Sequence, residues 1–104
     1  MLTPTEMGRQ HGRAAASWLF DGNTTLDTYK KFRKGMEEGD PLYLDQLPTA
    51  DLSGQNADTY SMADLRRDFP LEDPNEAASE YEEGYEEAVT AEVERVLAYH
   101  LDGA

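Results

Sequence analysis

The sequence contains no cysteine, only nine lysines and arginines, and no long apolar run. The lack of cysteine excludes disulfide bonds and thiolate chemistry and is compatible with the cytoplasm. With 22 acidic residues the net charge is −13. Because nucleic acids and anionic membranes are also negative, we expect neither to bind directly. The apolar runs fall well short of the roughly 18 residues that a membrane-spanning helix needs.

The sequence also lacks the patterns that mark catalytic and metal sites. It has no metalloprotease helix motif, phosphate-binding loop or nucleophile elbow. Asp21-Gly22-Asn23 begins like a calcium loop, but Leu26 and Phe32 stand where such a loop needs a glycine and an acid. The two histidines, His11 and His100, fall at the edge of apolar helix faces, where a hydrogen-bonded core histidine is commoner than a ligand. We therefore expect no enzyme, no catalytic residue, no cofactor and no metal.

The spacing of apolar residues predicts an all-α fold. Residues 1–104 form one domain in this interpretation, an irregular bundle of four to five helices with a long acidic C-terminal helix. Capping residues followed by proline, Thr3-Pro4 and Asp73-Pro74, predict the starts of the first and last helices, and Gly39 and Gly103 predict ends. The predicted helices span about residues 4–19, 25–38, 41–46, 62–68 and 74–102.

Trp18 is the expected anchor of the core, buried against the C-terminal helix, because its large apolar surface is valuable in a short chain. Gly8 and Gly12 lie beside the predicted inner face of the first helix, where small residues allow another backbone to come close. That inner face comprises Met7, His11, Ala14, Ala15 and Trp18. The predicted inner face of the C-terminal helix comprises Ala78, Tyr81, Tyr85, Ala88, Val89, Val93, Val96 and His100.

Most of the charge lies at the C-terminal end. Residues 72–104 hold eleven acids and one base, a net charge of −10. On a helical wheel the carboxylates lie opposite the apolar stripe. The predicted central row comprises Glu76, Glu80, Glu83, Glu87 and Glu94, with Glu82, Glu86 and Glu92 at its margins. These eight acids fall about every 3.4 Å of helix axis, close to the spacing of phosphates along one DNA strand.

Five short segments resemble small, largely uncharacterised acidic proteins of bacteriophages that infect actinobacteria. The resemblance covers residues 14–58 and implies a phage protein that acts in the cytoplasm of a bacterial host. It carries over no catalytic residue. The segments are Ala15-Ala16-Ser17-Trp18, Asp21-Gly22-Asn23-Thr24, Gly39-Asp40-Pro41, Leu47-Pro48 and Leu52-Ser53-Gly54.

The acidic row and the resemblance together predict an inhibitor that mimics nucleic acid. It would block a basic nucleic-acid-handling host protein, for example a CRISPR effector, a restriction enzyme, or a transcription or replication factor. One alternative is a phage assembly or virion-accessory protein, in which the acidic helix meets the basic side of another copy and a homo-oligomer results. That basic side comprises Lys30, Lys31, Arg33 and Lys34. A third interpretation is a small enzyme, for which the sequence shows no site. The acidic row by itself is also typical of a solvated face without a partner.

Overall fold

The structure, a computed structural model, describes residues 2–103 and consists of five helices in this range. They are α1 (Pro4–Ala16), α2 (Leu26–Glu38), α3 (Pro41–Leu44), α4 (Met62–Asp68) and α5 (Pro74–Asp102). Helices account for 65% of the described residues, and no strand occurs among them. The predicted all-α bundle with a long C-terminal helix is therefore confirmed.

Side-chain caps determine where the helices begin. The hydroxyl of Thr3 accepts a hydrogen bond from the backbone N–H of Glu6 at 3.2 Å. The carboxylate of Asp73 accepts from the N–H groups of Asn75 and Glu76. Both caps satisfy donors that have no partner within the helix, and the proline that follows each cap has no N–H to satisfy. The predicted bounds of α4 and α5 match the structure.

Helix α5 extends along almost the whole length of the molecule. Its 29 residues correspond to about 43 Å of helix axis, nearly the full 47 Å of the longest molecular dimension. Gly8 of α1 lies against the backbone of Tyr81, and Gly12 lies one turn further on against Tyr85, so α1 and α5 run parallel in close contact. A β-carbon at Gly8, Gly12 or Gly84 would overlap a carbonyl oxygen of the opposite helix. The predicted close approach at the two α1 glycines is thus confirmed.

Two apolar clusters lie along α5. The first joins α5 to α2 and the end of α1, and its buried members are Ala16, Tyr29, Phe32, Val89, Val93 and Leu97. The second joins α5 to α4 and the preceding loop, and its buried members are Leu52, Leu65, Phe69, Ala77 and Tyr81. Tyr29 and Phe32 of α2 and Leu65 of α4 are 4%, 2% and 1% exposed.

The prediction that Trp18 anchors the core is wrong, because its side chain is 86% exposed. Helix α1 ends at Ala16, three residues earlier than expected. The hydroxyl of Ser17 donates to the carbonyl of Ala14 at 2.6 Å, and the N–H of Trp18 bonds to Ala15 in a tighter final turn. Ala16 takes the core position instead. The α3 helix also ends earlier than predicted, at Leu44 rather than residue 46.

The inner faces of both long helices differ from those predicted. On α1 the buried residues are Pro4, Gly8, Gly12 and Ala16, none of which was on the predicted inner face. Of that face, Met7, His11 and Ala15 are half-buried, and Ala14 and Trp18 are exposed. On α5, Tyr81, Ala88, Val89 and Val93 are buried as predicted, whereas His100 is exposed and Ala78, Tyr85 and Val96 are only half-buried. Ala77, Gly84 and Leu97 are buried in addition. The buried stripe of α5 shifts around the helix because α1 and α4 cover its first half and α2 covers its second.

Candidate binding face of the C-terminal helix

The acidic face of α5 is the set of eight carboxylates predicted from the sequence. Because α1, α2 and α4 cover the inner side of α5, most of these carboxylates point to solvent. Glu80 and Glu92 are half-buried, and the other six are exposed. The exposed six are Glu76, Glu82, Glu83, Glu86, Glu87 and Glu94. The predicted orientation of the row is therefore observed, apart from the partial burial of Glu80.

Two of the eight carboxylates are paired with arginines of the chain. Arg9 of α1 donates to Glu87 at 3.5 Å. Arg95 makes two hydrogen bonds to Glu92, whose side chain is only 12% exposed. The bonds from Arg95 lower the pKa of Glu92, and its charge adds to this effect. Glu92 thus belongs to an ion pair within the chain and is the least available of the predicted contact residues.

The remaining carboxylates have no such compensation. Among residues 2–103, no lysine, arginine or histidine nitrogen lies within 4.0 Å of the carboxylates of Glu76, Glu82, Glu83 or Glu86. Glu82 and Glu86 are one helical turn apart, where like charges repel. These four side chains therefore do not stabilise the fold through ion pairs, and they remain free to bind a cationic partner.

The basic side of α2 is more fully paired than the acidic face. Lys31 lies 2.9 Å from Asp27, Lys34 lies 4.0 Å from Glu38, and Arg33 makes two hydrogen bonds to Asp102 at 2.9 and 3.0 Å. The pairs are exposed, so each contributes little to stability. They nevertheless reduce the positive charge that α2 offers to another molecule.

A cluster of aromatic side chains around His11 was not predicted as a unit. The imidazole Nδ1 of His11 lies 2.6 Å from the hydroxyl of Tyr81, and the ring of Tyr60 stacks on Tyr81 with 5.2 Å between centroids. The hydroxyl of Tyr60 donates to Asp68 at 2.8 Å. Tyr60 lies in a segment that the sequence predicts as loop, so periodicity gave no signal that it packs here. His11 is hydrogen-bonded and half-buried, as expected for a core histidine.

Burial determines the titration behaviour of this cluster. It lowers the pKa of His11, against a smaller opposing effect of the Asp68 charge. It also raises the pKa of Tyr60 and of Tyr81, and the hydrogen bond to Asp68 raises that of Tyr60 further. At neutral pH the imidazole of His11 and the phenols of Tyr60 and Tyr81 are therefore uncharged. Within the described range, no group of three or more potential ligands has metal-binding geometry.

A groove runs along the side of α5 next to the acidic face. Its upper part lies between α5, α2 and α3 and has a volume of about 410 Å³. Its lower part, about 220 Å³, lies between α5 and the segment after α3. Leu44, Leu47 and Thr90 line both parts, so the two adjoin along the side of α5. Sequence reasoning missed it because its walls come from three separate segments.

Comparisons with known proteins add no family. No protein-family model, curated protein or solved structure matches this chain. Within residues 2–103, no helix combines the length and the apolar character needed to cross a membrane.

Proposed function

We propose that the chain is an inhibitor that mimics nucleic acid and binds a basic, nucleic-acid-handling protein. Its acidic face would occupy the arginines and lysines that otherwise contact phosphates. The resemblance to small phage proteins supports a bacterial host enzyme as the target, for example a CRISPR effector, a restriction enzyme, or a transcription or replication factor. Carboxylates and phosphates accept similar bidentate hydrogen bonds from arginine, so one basic channel accommodates both.

The observation that supports this proposal most is that the negative charges of the acidic face are mostly not paired with basic side chains of the chain. Glu76, Glu82, Glu83 and Glu86 are exposed, and no basic side chain of the described range is within salt-bridge distance. They project from a helix whose backbone is held against α1, so their spacing is fixed before binding. From Glu76 to Glu86 the axis advances about 15 Å. A preorganised row of charges loses less conformational entropy on binding than a flexible acidic tail does.

The pairing on α2 favours the inhibitor over acidic–basic self-association. Three of the four basic side chains proposed for that contact, Lys31, Arg33 and Lys34, already have acidic partners within the chain. To associate through this surface, two copies would have to break these ion pairs and form ion pairs between the two molecules instead. The net charge of −13 also opposes close association of identical chains.

The proposal is tested by a triple charge reversal on the free part of the acidic face. Glu76→Lys, Glu83→Lys and Glu86→Lys together should leave the helical circular dichroism unchanged, because the three side chains are exposed. Capture of the partner from bacterial lysate should be lost. The matched control reverses three exposed acids on other segments, Glu38, Asp45 and Asp58. The control has the same net charge, so it separates the specific face from overall charge.

Competition with nucleic acid distinguishes mimicry from other modes of binding. The purified partner should bind either the chain or its DNA or RNA, but not both. Complex formation should also weaken as salt rises, because exposed charges are screened within about 8 Å at physiological ionic strength. A stable ternary complex of partner, chain and nucleic acid would refute the mimic. Loss of a homo-oligomer in the triple variant, without nucleic-acid competition, would instead favour an assembly protein.

A further inference from the structure

We propose that the groove beside the acidic face binds a basic helical segment of the partner that carries leucine-type side chains. This inference rests on the proposed function and adds an apolar contact to it. Electrostatic complementarity contributes more to the association rate and to specificity than to the affinity itself. Burial of apolar side chains in a groove adds binding free energy in proportion to the apolar surface removed from water, and only a partner that carries such side chains as well as positive charge gains it. The groove would therefore select one partner among the many proteins with a basic surface.

The shape of the groove fits a helix. Its wall on α5 includes a row of residues spaced four apart, Glu86, Thr90, Glu94, Ala98 and Asp102, with Val89 and Leu97 beside the row. The sixteen steps along α5 from Glu86 to Asp102 correspond to a length of about 24 Å. A groove of this length accommodates about four turns of a partner helix, whose apolar residues at positions i, i+4, i+7 and i+11 would lie along one line.

The floor of the groove is apolar and accessible. Leu44 is 38% exposed although it lies among apolar neighbours, and Leu47 and Met36 are half-buried. Leu97, at the base, is 2% exposed and belongs to the first apolar cluster. A leucine side chain placed here would extend that cluster and remove the exposed part of Leu44 from water.

The charges at the rim specify a cationic partner. Glu37, Glu86 and Glu94 line the groove, and the structure gives none of them a salt bridge within the described residues. Among the described residues, Arg33 is the only basic one that lines the groove, and its guanidinium already donates to both carboxylate oxygens of Asp102. The rim is thus negative around an apolar floor. Glu86 and Glu94 also belong to the acidic face, so one basic partner would contact both surfaces.

Two labelled peptides test the proposal directly. One is a helical peptide of about 18 residues, matched to the groove length, with leucine along one face and arginine and lysine elsewhere. The other replaces every leucine by serine and keeps the charge. In fluorescence anisotropy the leucine peptide should bind about tenfold tighter, which corresponds to burial of about one leucine side chain. Equal affinity for the two peptides would overturn the proposal, because it would show that charge alone is recognised.

Variants and methionine signals locate the binding site. Thr90→Phe fills the middle of the groove without a change in charge and should abolish the preference for leucine. Gln10→Phe adds the same ring to an exposed position of α1 outside the groove and should keep it. In protein labelled at the methionine methyl groups, the leucine peptide should shift the signal of Met36, which lines the groove. Met7 and Met62 pack against the other apolar cluster and serve as internal references.

The outcomes separate this inference from the proposed function. Shifts at Met7 and Met62 of the same size as at Met36, or a leucine preference retained in Thr90→Phe, would refute the groove as the binding site. A ternary complex with nucleic acid would refute the mimic but leave the peptide results valid. Concentration-dependent self-association that Thr90→Phe abolishes would show that the groove binds a second copy, and would overturn the assignment to a basic partner.

Discussion

The two halves of α5 are buried in different ways. In the first half, Gly84 lies against the backbone of Thr5, and Gly8 and Gly12 of α1 lie against Tyr81 and Tyr85. In the second half, Val89, Val93 and Leu97 pack against large side chains of α2 such as Phe32. The first contact leaves no room for an added atom, whereas the second depends on the volume of the side chains that fill it.

This difference bears on the acidic face. Among the exposed carboxylates of the acidic face without an ion pair, Glu94 lies on the second half of α5, and Glu76, Glu82, Glu83 and Glu86 lie on the first. Their mutual repulsion disfavours the helix there, and the close contact with α1 opposes that effect. The close contact between the α1 and α5 backbones thus stabilises a helix whose outer glutamates repel one another. On the second half, Arg95 compensates Glu92 and Arg33 compensates Asp102.

The largest expected effect comes from removing volume in the second half. Phe32 is 2% exposed and contacts the rings of Phe20 and Tyr43. Phe32→Ala should lower the free energy of unfolding by about 3–5 kcal/mol, because a cavity remains where the ring was. Chemical denaturation followed by circular dichroism measures this loss. A loss below about 1 kcal/mol would contradict a core that depends on side-chain volume in this half.

Adding volume in the first half should have the next largest effect. Gly84→Ala places a methyl group on the carbonyl oxygen of Thr5, so the helices must separate, and we expect a loss of about 1–3 kcal/mol. In an exposed helix the same change would stabilise by about 1 kcal/mol. Gly22→Ala, in a turn rather than a helix, is a control for an added methyl group without overlap, because nothing lies within 4 Å of that atom. An increase in stability for Gly84→Ala would contradict the close contact of α1 and α5.

A smaller effect on stability, from the contacts of the first half of α5, follows from the lowered pKa of His11. Because burial favours the neutral imidazole, the unfolded chain binds more protons than the folded chain just below the ordinary histidine pKa of about 6.5. Stability should therefore be full above that value and decrease as the pH falls through it. Thermal melts at pH values from about 7.5 down to about 5.5 should show this decrease in the wild-type chain. His11→Gln should reduce the dependence, and an unchanged dependence would assign it to other groups.

The sequence predicts the helices well and their contacts less well. Caps and prolines mark α4 and α5 to the residue, because these signals are local. Which face of a helix is buried depends on the helix that packs against each part of it. A search for one helical repeat along α5 cannot show that α5 packs on α1 in its first half and on α2 in its second. Glycines form the closest contact between α1 and α5, yet they are not counted as apolar when a sequence is searched for a buried helix face. The groove was missed for a related reason, since Leu44 and Thr90 are distant in the sequence.

The smallest expected effect is at Trp18, where the contact of α1 with α5 ends. Its side chain is 86% exposed, so Trp18→Ala should change the free energy of unfolding by no more than about 0.5 kcal/mol. Since it is the only tryptophan, its fluorescence reports this site alone. The emission should resemble that of tryptophan in water and should hardly change on unfolding, while circular dichroism shows the transition. A shift of emission to longer wavelength on unfolding, together with a loss of several kcal/mol in Trp18→Ala, would mean that the indole is buried. The contact of α1 with α5 would then continue past Ala16, and the boundary between the two modes of packing would lie further along α5.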